Sequence, residues 1–343
     1  MVFDSPEFRS HEQLSFVHDP ETGLRAVIAI HKTGPRGAGG GIRMQPYENE
    51  EDAVTDALRL SRAMSYKFAM AHIPIGGGKS VIIGDPQKDK TSALMEAFGR
   101  AVETFRGRYH CGPDVGTTSD DMVSVRQGTR HVRGLPGETG DTSPATGFGV
   151  YRAMLAAVFH VDGKESLEGL KVAVQGVGNV GRALCTHLKS AGAEIFVADL
   201  NEEAVARAVT EFGATPVPND EILYQHVDVL APCALGAVFD DESIPRLNCR
   251  IICGGANNQL ARMRHGDLLH ERGITIVPDY VASAGGAIHA TQAGPGFDPE
   301  KAMADVARTF DNCARVLHRA TRDNTPPYVA AKIMAEEIME EWG

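Results

Sequence analysis

Residues 171–200 constrain the fold more than any other stretch. An apolar run from Lys171 to Gln175 leads into Gly176-Val177-Gly178-Asn179-Val180-Gly181, then a helical pattern from Arg182 to Ala191, then a second run ending on Asp199. Strand, glycine turn, helix and strand in that order make a βαβ unit and require a parallel sheet. Alone, G-x-G-x-x-G is a weak pattern. Between a strand and a helix, with an acid about 20 residues on, it is the fingerprint of a dinucleotide site. Gly176 permits the tight turn, Gly178 admits a pyrophosphate, and Gly181 lets helix and strand pack closely. Asn179 and Val180 open the helix, whose first N–H groups and positive dipole end attract phosphate. Asp199, followed by Leu200, would accept hydrogen bonds from an adenosine ribose and repel a 2′-phosphate. The expected cofactor is therefore NAD rather than NADP. A tight turn with a surface aspartate is the bland alternative, and the context stands against it.

The alternation continues. Val227 to Leu230 runs into Ala231-Pro232-Cys233-Ala234, Arg250 to Cys253 into Gly254-Gly255-Ala256-Asn257-Asn258, and Ile274 to Val277 into Pro278-Asp279-Tyr280. Loops at the carboxyl ends of parallel strands are where such a sheet binds its ligand. Cys233, Ala234 and Asn257 thus join the candidate cofactor residues, although asparagine after a strand is also a common turn residue. Ser283-Ala284-Gly285-Gly286 is a second place for close backbone approach. Lys301 to Arg322 and Val329 to Trp342 read as helices.

A second stretch, residues 65–85, carries two lysines. Lys67 and Lys79 flank a short apolar run, and Lys79 follows Gly76, Gly77 and Gly78, where the chain can turn sharply. A lysine held dry beside another cation has its pKa pushed toward neutrality and becomes usable as a general base. The other reading is a turn with a solvated lysine. A phosphate loop is excluded, because Ile73 stands where that motif needs its first glycine. Asp114, after a strand near Tyr109, is either a turn cap or a carboxylate that exchanges protons near the lysines. The glycine-dense Gly34 to Met44 reads as a loop, either a linker or the wall of a pocket. Asp52 to Met70 and Ser92 to Arg106 have helical spacing. Gly134 to Thr146 reads as an interdomain hinge, with a helix starting at Gly147.

At 343 residues the chain is long enough for two domains. A net charge of -11 argues against nucleic acid or an anionic membrane as partner. No apolar run is long enough to span a bilayer, and the first residues lack a signal-peptide pattern. The six cysteines are scattered without a C-x-x-C pair, and the thirteen histidines lack ligand spacing. Free thiols in the cytoplasm and no metal site are the expectation.

The strings SYKFAMAHIPIGGGKSVIIGDP, GPDVGTT, TSPATGFGVYRAM, VAVQGVGNVG, APCALGAVF, GGANNQLA and PDYVASAGGAI span nearly the whole chain. In this order they resemble the glutamate/leucine/phenylalanine/valine dehydrogenase family, and most of all its leucine and phenylalanine branch. The resemblance implies an α/β chain with a mixed-sheet substrate domain over 1–140 and a doubly wound NAD domain over 141–323. A last helix over 324–343 would return to the first domain, and catalysis would lie in the cleft between the domains. It implies Lys67 on the substrate α-carboxylate, Lys79 as the base that activates water, and Asp114 as the carrier of protons to and from the amino nitrogen. Gly40 and Gly41 would contact the carboxylate, and Ser143 and Thr146 would lie by the nicotinamide. The activity implied is oxidative deamination of an amino acid to a 2-oxo acid and ammonia. An acidic, two-domain dehydrogenase is expected to be a homo-oligomer, with a dimer favoured.

Two departures bear on substrate. Gly39 stands where the leucine branch has leucine and glutamate members have lysine, and Ser283 stands where the family has asparagine. Without that lysine a substrate carboxylate would be buried unpaired. An apolar side chain is expected, aromatic ahead of branched, although Arg36 and Arg43 could reach in toward a polar one. The rival readings are a dehydrogenase for an unusual or modified amino acid, motivated by Ser283, and an NAD-binding sensor without turnover.

Overall fold

Successive side chains of a strand point to opposite faces, and in β2 (Leu24–Ile30) every residue but Arg25 is buried. Ile28 and Ile30 join one core, with Phe98 and Met122, while Val27 and Ala29 join another, with Ala53 and Leu58. A strand buried on both faces belongs inside a sheet covered by helices on both sides. The computed structural model describes residues 2–138, 140–234, 236–292 and 296–342. It divides into two compact units, Met1–Gly140 with Ala290–Phe297 and Ala335–Gly343, and Asp141–His289 with Asp298–Met334. Thr139, within the expected hinge, and Leu235, within APCALGAVF, lie outside the described residues.

The first unit holds β1 (Gln13–Asp19), β2, β3 (Ala38–Gln45), α1 (Glu50–Met70), β4 (Gly76–Ile83), α2 (Ser92–Glu103), β5 (Tyr109–Pro113) and α3 (Ser119–Gly128). Its sheet runs β1-β2-β4-β3-β5. The first two pairings are antiparallel and the last two parallel, so the sheet is mixed. The Asn49 side chain accepts a hydrogen bond from the Asp52 N–H at the start of α1, and Glu50, Glu51 and Asp52 sit at the positive end of its dipole.

Two expectations are corrected here. Most of the glycine-dense segment is not a loop: Ala38–Gln45 is a strand paired on both sides. Nor do Gly76, Gly77 and Gly78 turn the chain; they open β4. Glycine is a poor strand former, and here it is tight packing that calls for it. A Cβ on Gly77 would lie 2.1 Å from the Ser65 nitrogen and 2.2 Å from the Ser61 oxygen. α1 therefore lies directly on β4, and the Ser65 hydroxyl accepts the Gly77 N–H at 2.9 Å.

The second unit begins with α4 (Ser143–Asp162). This helix starts four residues before the expected Gly147, because Pro144 suits the first helical turn. Then come β6 (Lys171–Gln175), α5 (Asn179–Ser190), β7 (Glu194–Ala198), α6 (Glu202–Phe212), β8 (Thr215–Pro216), β9 (Val229–Pro232), β10 (Ile251–Ile252), α7 (Arg264–Glu271) and β11 (Thr275–Ile276). The sheet order is β11-β10-β9-β6-β7-β8, and every pairing is parallel. Counted from β6, that is the doubly wound dinucleotide order, with its reversal between β6 and β9. α8 (Asp279–Ala282), α9 (Gly285–Ala290), α10 (Pro299–Ala307), α11 (Thr309–Asp323) and α12 (Pro327–Glu340) follow. The single helix expected over 301–322 is two, because Arg308 closes α10 and opens α11. Among the described residues no helix is long and apolar enough to cross a membrane.

Candidate active site

In the first unit, register brings glycines together on one face. Gly39 pairs with Gly77 and with His110, and Gly41 pairs with Gly112. Paired residues share a face, so Gly39, Gly41 and Arg43 on β3 face the same way as Gly77 and Lys79 on β4. Gly112 and Asp114 share that face. α1 fills the space over Gly77, and Gly39, Gly41 and Gly112 leave a floor without side chains. Phe68 and Ile75 come within 3.4 Å of where a Gly39 Cβ would be.

Lys79 and Asp114 meet on this floor. The ammonium lies 2.8 Å from Asp114 Oδ2. The Lys79 side chain is 6% exposed and that of Asp114 is 26% exposed, so the pair is open on the carboxylate side. Arg43 Nε donates to the same Oδ2 at 3.1 Å, while Arg43 Nη1 reaches Asp56 Oδ2 at 3.1 Å. Tyr47 donates its hydroxyl to Asp56 Oδ2 at 2.7 Å. The loop after β5 holds Asp114 by its backbone. Its N–H donates to the Thr117 hydroxyl at 3.0 Å, and that hydroxyl donates to the Ile42 carbonyl at 2.7 Å.

Burial pushes the Lys79 ammonium down; the Asp114 carboxylate pushes it up and Arg43 pushes it down, leaving it below the ordinary lysine range. Burial pushes Asp114 up, but Lys79 and Arg43 outweigh that and hold it below the usual carboxylate range. A lysine that can lose its proton, hydrogen-bonded to a carboxylate, is a general-base arrangement.

The sequence argument set Lys67 beside Lys79. Lys67 is half-buried in the last turn of α1, two residues beyond the Ser65 that bonds β4. The cation that shares the carboxylate with Lys79 is Arg43. Rather than reaching toward a polar substrate, Arg43 is held between Asp114 and Asp56. Sequence reasoning missed Asp56 and Tyr47 altogether. The signal for Arg43 was its period-2 spacing from Gly39 and Gly41, which a loop assignment hides.

The second unit gathers the other candidates. Gly176 has φ +90°, and its Cβ would touch Ala234, while a Cβ on Gly181 would lie 2.0 Å from the Gly176 oxygen. Cys233 donates its N–H to the Gln175 carbonyl at 2.7 Å, so the loops after β6 and β9 lie together at the reversal of strand order. Asn179, Val180 and Gly181 form the first turn of α5. Among the described residues, its chain neighbours aside, no heavy atom lies within 4 Å of the Cβ position of Gly178, which leaves the backbone open to a phosphate. Asp199 Oδ2 accepts the Val177 N–H at 2.8 Å and Oδ1 accepts the Asn201 N–H at 2.9 Å. The acid thus braces the glycine turn, and Leu200 beside it is 88% exposed. These residues fit a dinucleotide. Ser143 and Thr146 lie in the first turn of α4, where a Cβ on Gly286 would sit 2.5 Å from the Thr146 hydroxyl. Buried Ser283 places its hydroxyl 3.5 Å from Asn257 Oδ1.

Residues 11–131 match the profile described as Glu/Leu/Phe/Val dehydrogenase, dimerisation domain, and residues 137–201 and 197–336 match Glutamate/Leucine/Phenylalanine/Valine dehydrogenase. The chain is 49% identical to leucine dehydrogenase of Geobacillus stearothermophilus over 99% of its length and 93% of that protein. It is 42% identical to L-tryptophan dehydrogenase of Nostoc punctiforme, over 98% of this chain and 96% of the relative. A crystal structure of L-tryptophan dehydrogenase from Nostoc punctiforme superposes with a TM-score of 0.85 at 40% identity, covering 100% of this chain and 99% of that one.

Proposed function

Because the chain belongs to the glutamate/leucine/phenylalanine/valine dehydrogenase family and is an amino-acid dehydrogenase, we propose that it catalyses NAD-dependent oxidative deamination of an apolar L-amino acid. The products are the 2-oxo acid and ammonia, and the same groups run the reverse reductive amination. The observation that carries this reading is the buried Lys79 ammonium 2.8 Å from Asp114 Oδ2, on a floor of glycines.

The nucleotide, when bound, supplies the acceptor for the α-hydrogen as hydride. The chain supplies the rest. Lys67 and the backbone at Gly40 and Gly41 hold the α-carboxylate. Both cations take Oδ2 of Asp114, which leaves Oδ1 for the substrate nitrogen. Asp114 removes a proton from the amino nitrogen before the hydride leaves and returns one as ammonia departs. Neutral Lys79 takes a proton from the water that attacks the iminium carbon, and as the carbinolamine collapses its hydroxyl proton leaves with the ammonia as ammonium. Ser143, Thr146, Asn179, Val180, Cys233, Ala234 and Asn257 serve the nucleotide, as do the glycine turn and Asp199 with Leu200, and Ser283 faces substrate. Residues 1–140 are the substrate domain and 141–323 the nucleotide domain. Six free thiols suit a reducing cytoplasm. The working form is a homo-oligomer, a dimer at least.

Gly39 favours phenylalanine or tryptophan over leucine or valine, because it adds no side chain of its own beside Phe68 and Ile75. The 49% identity to a leucine dehydrogenase pulls the other way. NADH formation with leucine, valine, phenylalanine and tryptophan decides between them. Turnover of none of the four would favour an unusual amino acid instead. Lys79→Ala should lower kcat by about 10^2- to 10^4-fold, the range of general acid–base catalysis. An unchanged rate in that variant, with NAD still bound, would leave the sensor reading standing.

A further inference from the structure

We propose that Arg43 is a positioning residue of this site, clamped between Asp114 and Asp56 so that one carboxylate oxygen is locked and the other is offered to substrate. The inference rests on the reading of Lys79 and Asp114 given above.

The geometry is specific. Arg43 uses two different nitrogens on two different acids, Nε on Asp114 Oδ2 at 3.1 Å and Nη1 on Asp56 Oδ2 at 3.1 Å. Guanidinium is planar and its donors are fixed, so two such bonds set the orientation of the whole fork. Asp56 is itself held, because Tyr47 donates to its Oδ2 at 2.7 Å. The four residues come from four places in the chain: Arg43 from β3, Asp56 from α1, Tyr47 from the segment between them, and Asp114 from the loop just after β5. The Arg43, Asp56 and Asp114 side chains are between a fifth and just over a quarter exposed, at 20%, 22% and 26%. A clamp this far out of water keeps its direction without the freedom of a surface ion pair.

The clamp does two things. It stops Asp114 from rotating to give Lys79 one oxygen and Arg43 the other, a state in which neither oxygen would be left for the substrate nitrogen. It also sets opposite charges around Lys79: Arg43 favours the neutral amine and Asp56 favours the ammonium. The two residues therefore oppose each other on the proton affinity of the base, although they bond each other.

That opposition is the test. The pH dependence of kcat at saturating substrate reports groups in the bound complex. Arg43→Met should move the pH of half-maximal kcat upward, and Asp56→Asn should move it downward, each by roughly half to one unit, as expected for one charge at this range. Arg43→Lys keeps the charge but not the fork; its profile should stay in place while kcat falls about tenfold. Tyr47→Phe, which removes only a hydroxyl, should lower kcat less. The KM for NAD should be unchanged throughout. Variants are compared only where melting temperature and NADH binding match the parent. Arg43→Lys and Asp56→Asn carry the test if Arg43→Met does not fold. Shifts of the same sign, or none, with kcat intact would overturn the assignment. If Lys79→Ala is itself active, the reading of the site fails; if it is inactive and the Arg43 and Asp56 variants leave the profile in place, only the clamp fails.

Discussion

Two glycines two residues apart make opposite demands. A Cβ on Gly41 would lie 2.6 Å from the Asp114 Cβ and 3.1 Å from the Pro113 oxygen. Neither neighbour is the far end of a flexible side chain, so Asp114 itself must move. Among the described residues the three atoms nearest a Cβ on Gly39 are side-chain carbons of Ile75 and Phe68, at an ordinary 3.4 to 3.5 Å. Gly41→Ala should therefore cut kcat by at least about tenfold, the sensitivity expected when a reacting group is misplaced by a fraction of an ångström to an ångström. Gly39→Ala should stay within about fivefold of the parent, since one methyl group is worth only about 1 kcal/mol. Gly39→Leu should act on substrate choice instead, lowering kcat/KM for phenylalanine and tryptophan relative to valine. Steady-state rates on the three variants check this, and equal losses in Gly39→Ala and Gly41→Ala would refute it. At this scale the sequence was readable where chemistry sits in a compact string, as at Lys79 and Asp114. It was not readable for Arg43, Asp56 and Tyr47, whose meeting depends on strand register and on the placement of α1.

α1 and β4 depend on each other through a buried row of polar groups. The His31 ring shares a hydrogen bond of 2.8 Å with the Ser65 hydroxyl, and His11 Nε2 lies 3.0 Å from the Leu58 carbonyl and 3.1 Å from the Ser61 hydroxyl. The two rings touch edge-on at 4.9 Å. Burial pushes His11 down to about 4, and burial followed by repulsion from His11 pushes His31 down to about 3. Both stay neutral in the folded protein, whereas the unfolded chain takes up protons below about pH 6.5. Their contribution to stability is therefore whole above that pH and drains away as pH falls toward 4 and 3, by up to about 1.4 kcal/mol per unit per histidine. Urea midpoints from pH 7 to 4.5 should fall in the parent and fall less steeply in His31→Gln; an identical slope would rule the mechanism out. α1, α2, α4, α5 and α12 were legible from apolar spacing, whereas α3, α6, α7, α8 and α9 drew no expectation. The glycine-rich strands were not legible, because glycine carries no strand signal and the reason for it is a neighbour distant in sequence. In the second unit, strand, turn, helix and acid came in one local order and were legible almost to the residue. There Asp199 gives a further prediction. Its carboxylate braces the turn through Val177 and would repel a 2′-phosphate, so NAD should be used in preference to NADP. Asp199→Asn should narrow that ratio, read as kcat/KM for each nucleotide, mostly through KM.

At the scale of the whole molecule the open question for the fold is an edge. Among the described residues β1 ends its sheet and has a partner on one side only, β2. An unpaired edge presents free N–H and C=O groups that natural proteins cover, charge or pair. This edge is not charged at its middle: Phe16 is 55% exposed there, beside a groove of about 270 Å3 lined by Val17, His18, Arg25, Glu50 and Ile83. The net charge of -11 opposes association in general, so any contact between copies has to be local and apolar enough to overcome that repulsion. β1 lies within residues 11–131, which match a dimerisation domain. The occupant expected on the edge is a second copy of this chain, related by a two-fold axis so that Phe16 of each copy is covered by the other. Phe16→Asp places two carboxylates at that axis. It should lower the mass measured by light scattering at micromolar concentration, and leave the melting temperature of the dissociated chain within a few degrees of a neutral Phe16→Ser control. A Phe16→Asp protein that keeps the parent's mass would put the interface elsewhere on the molecule.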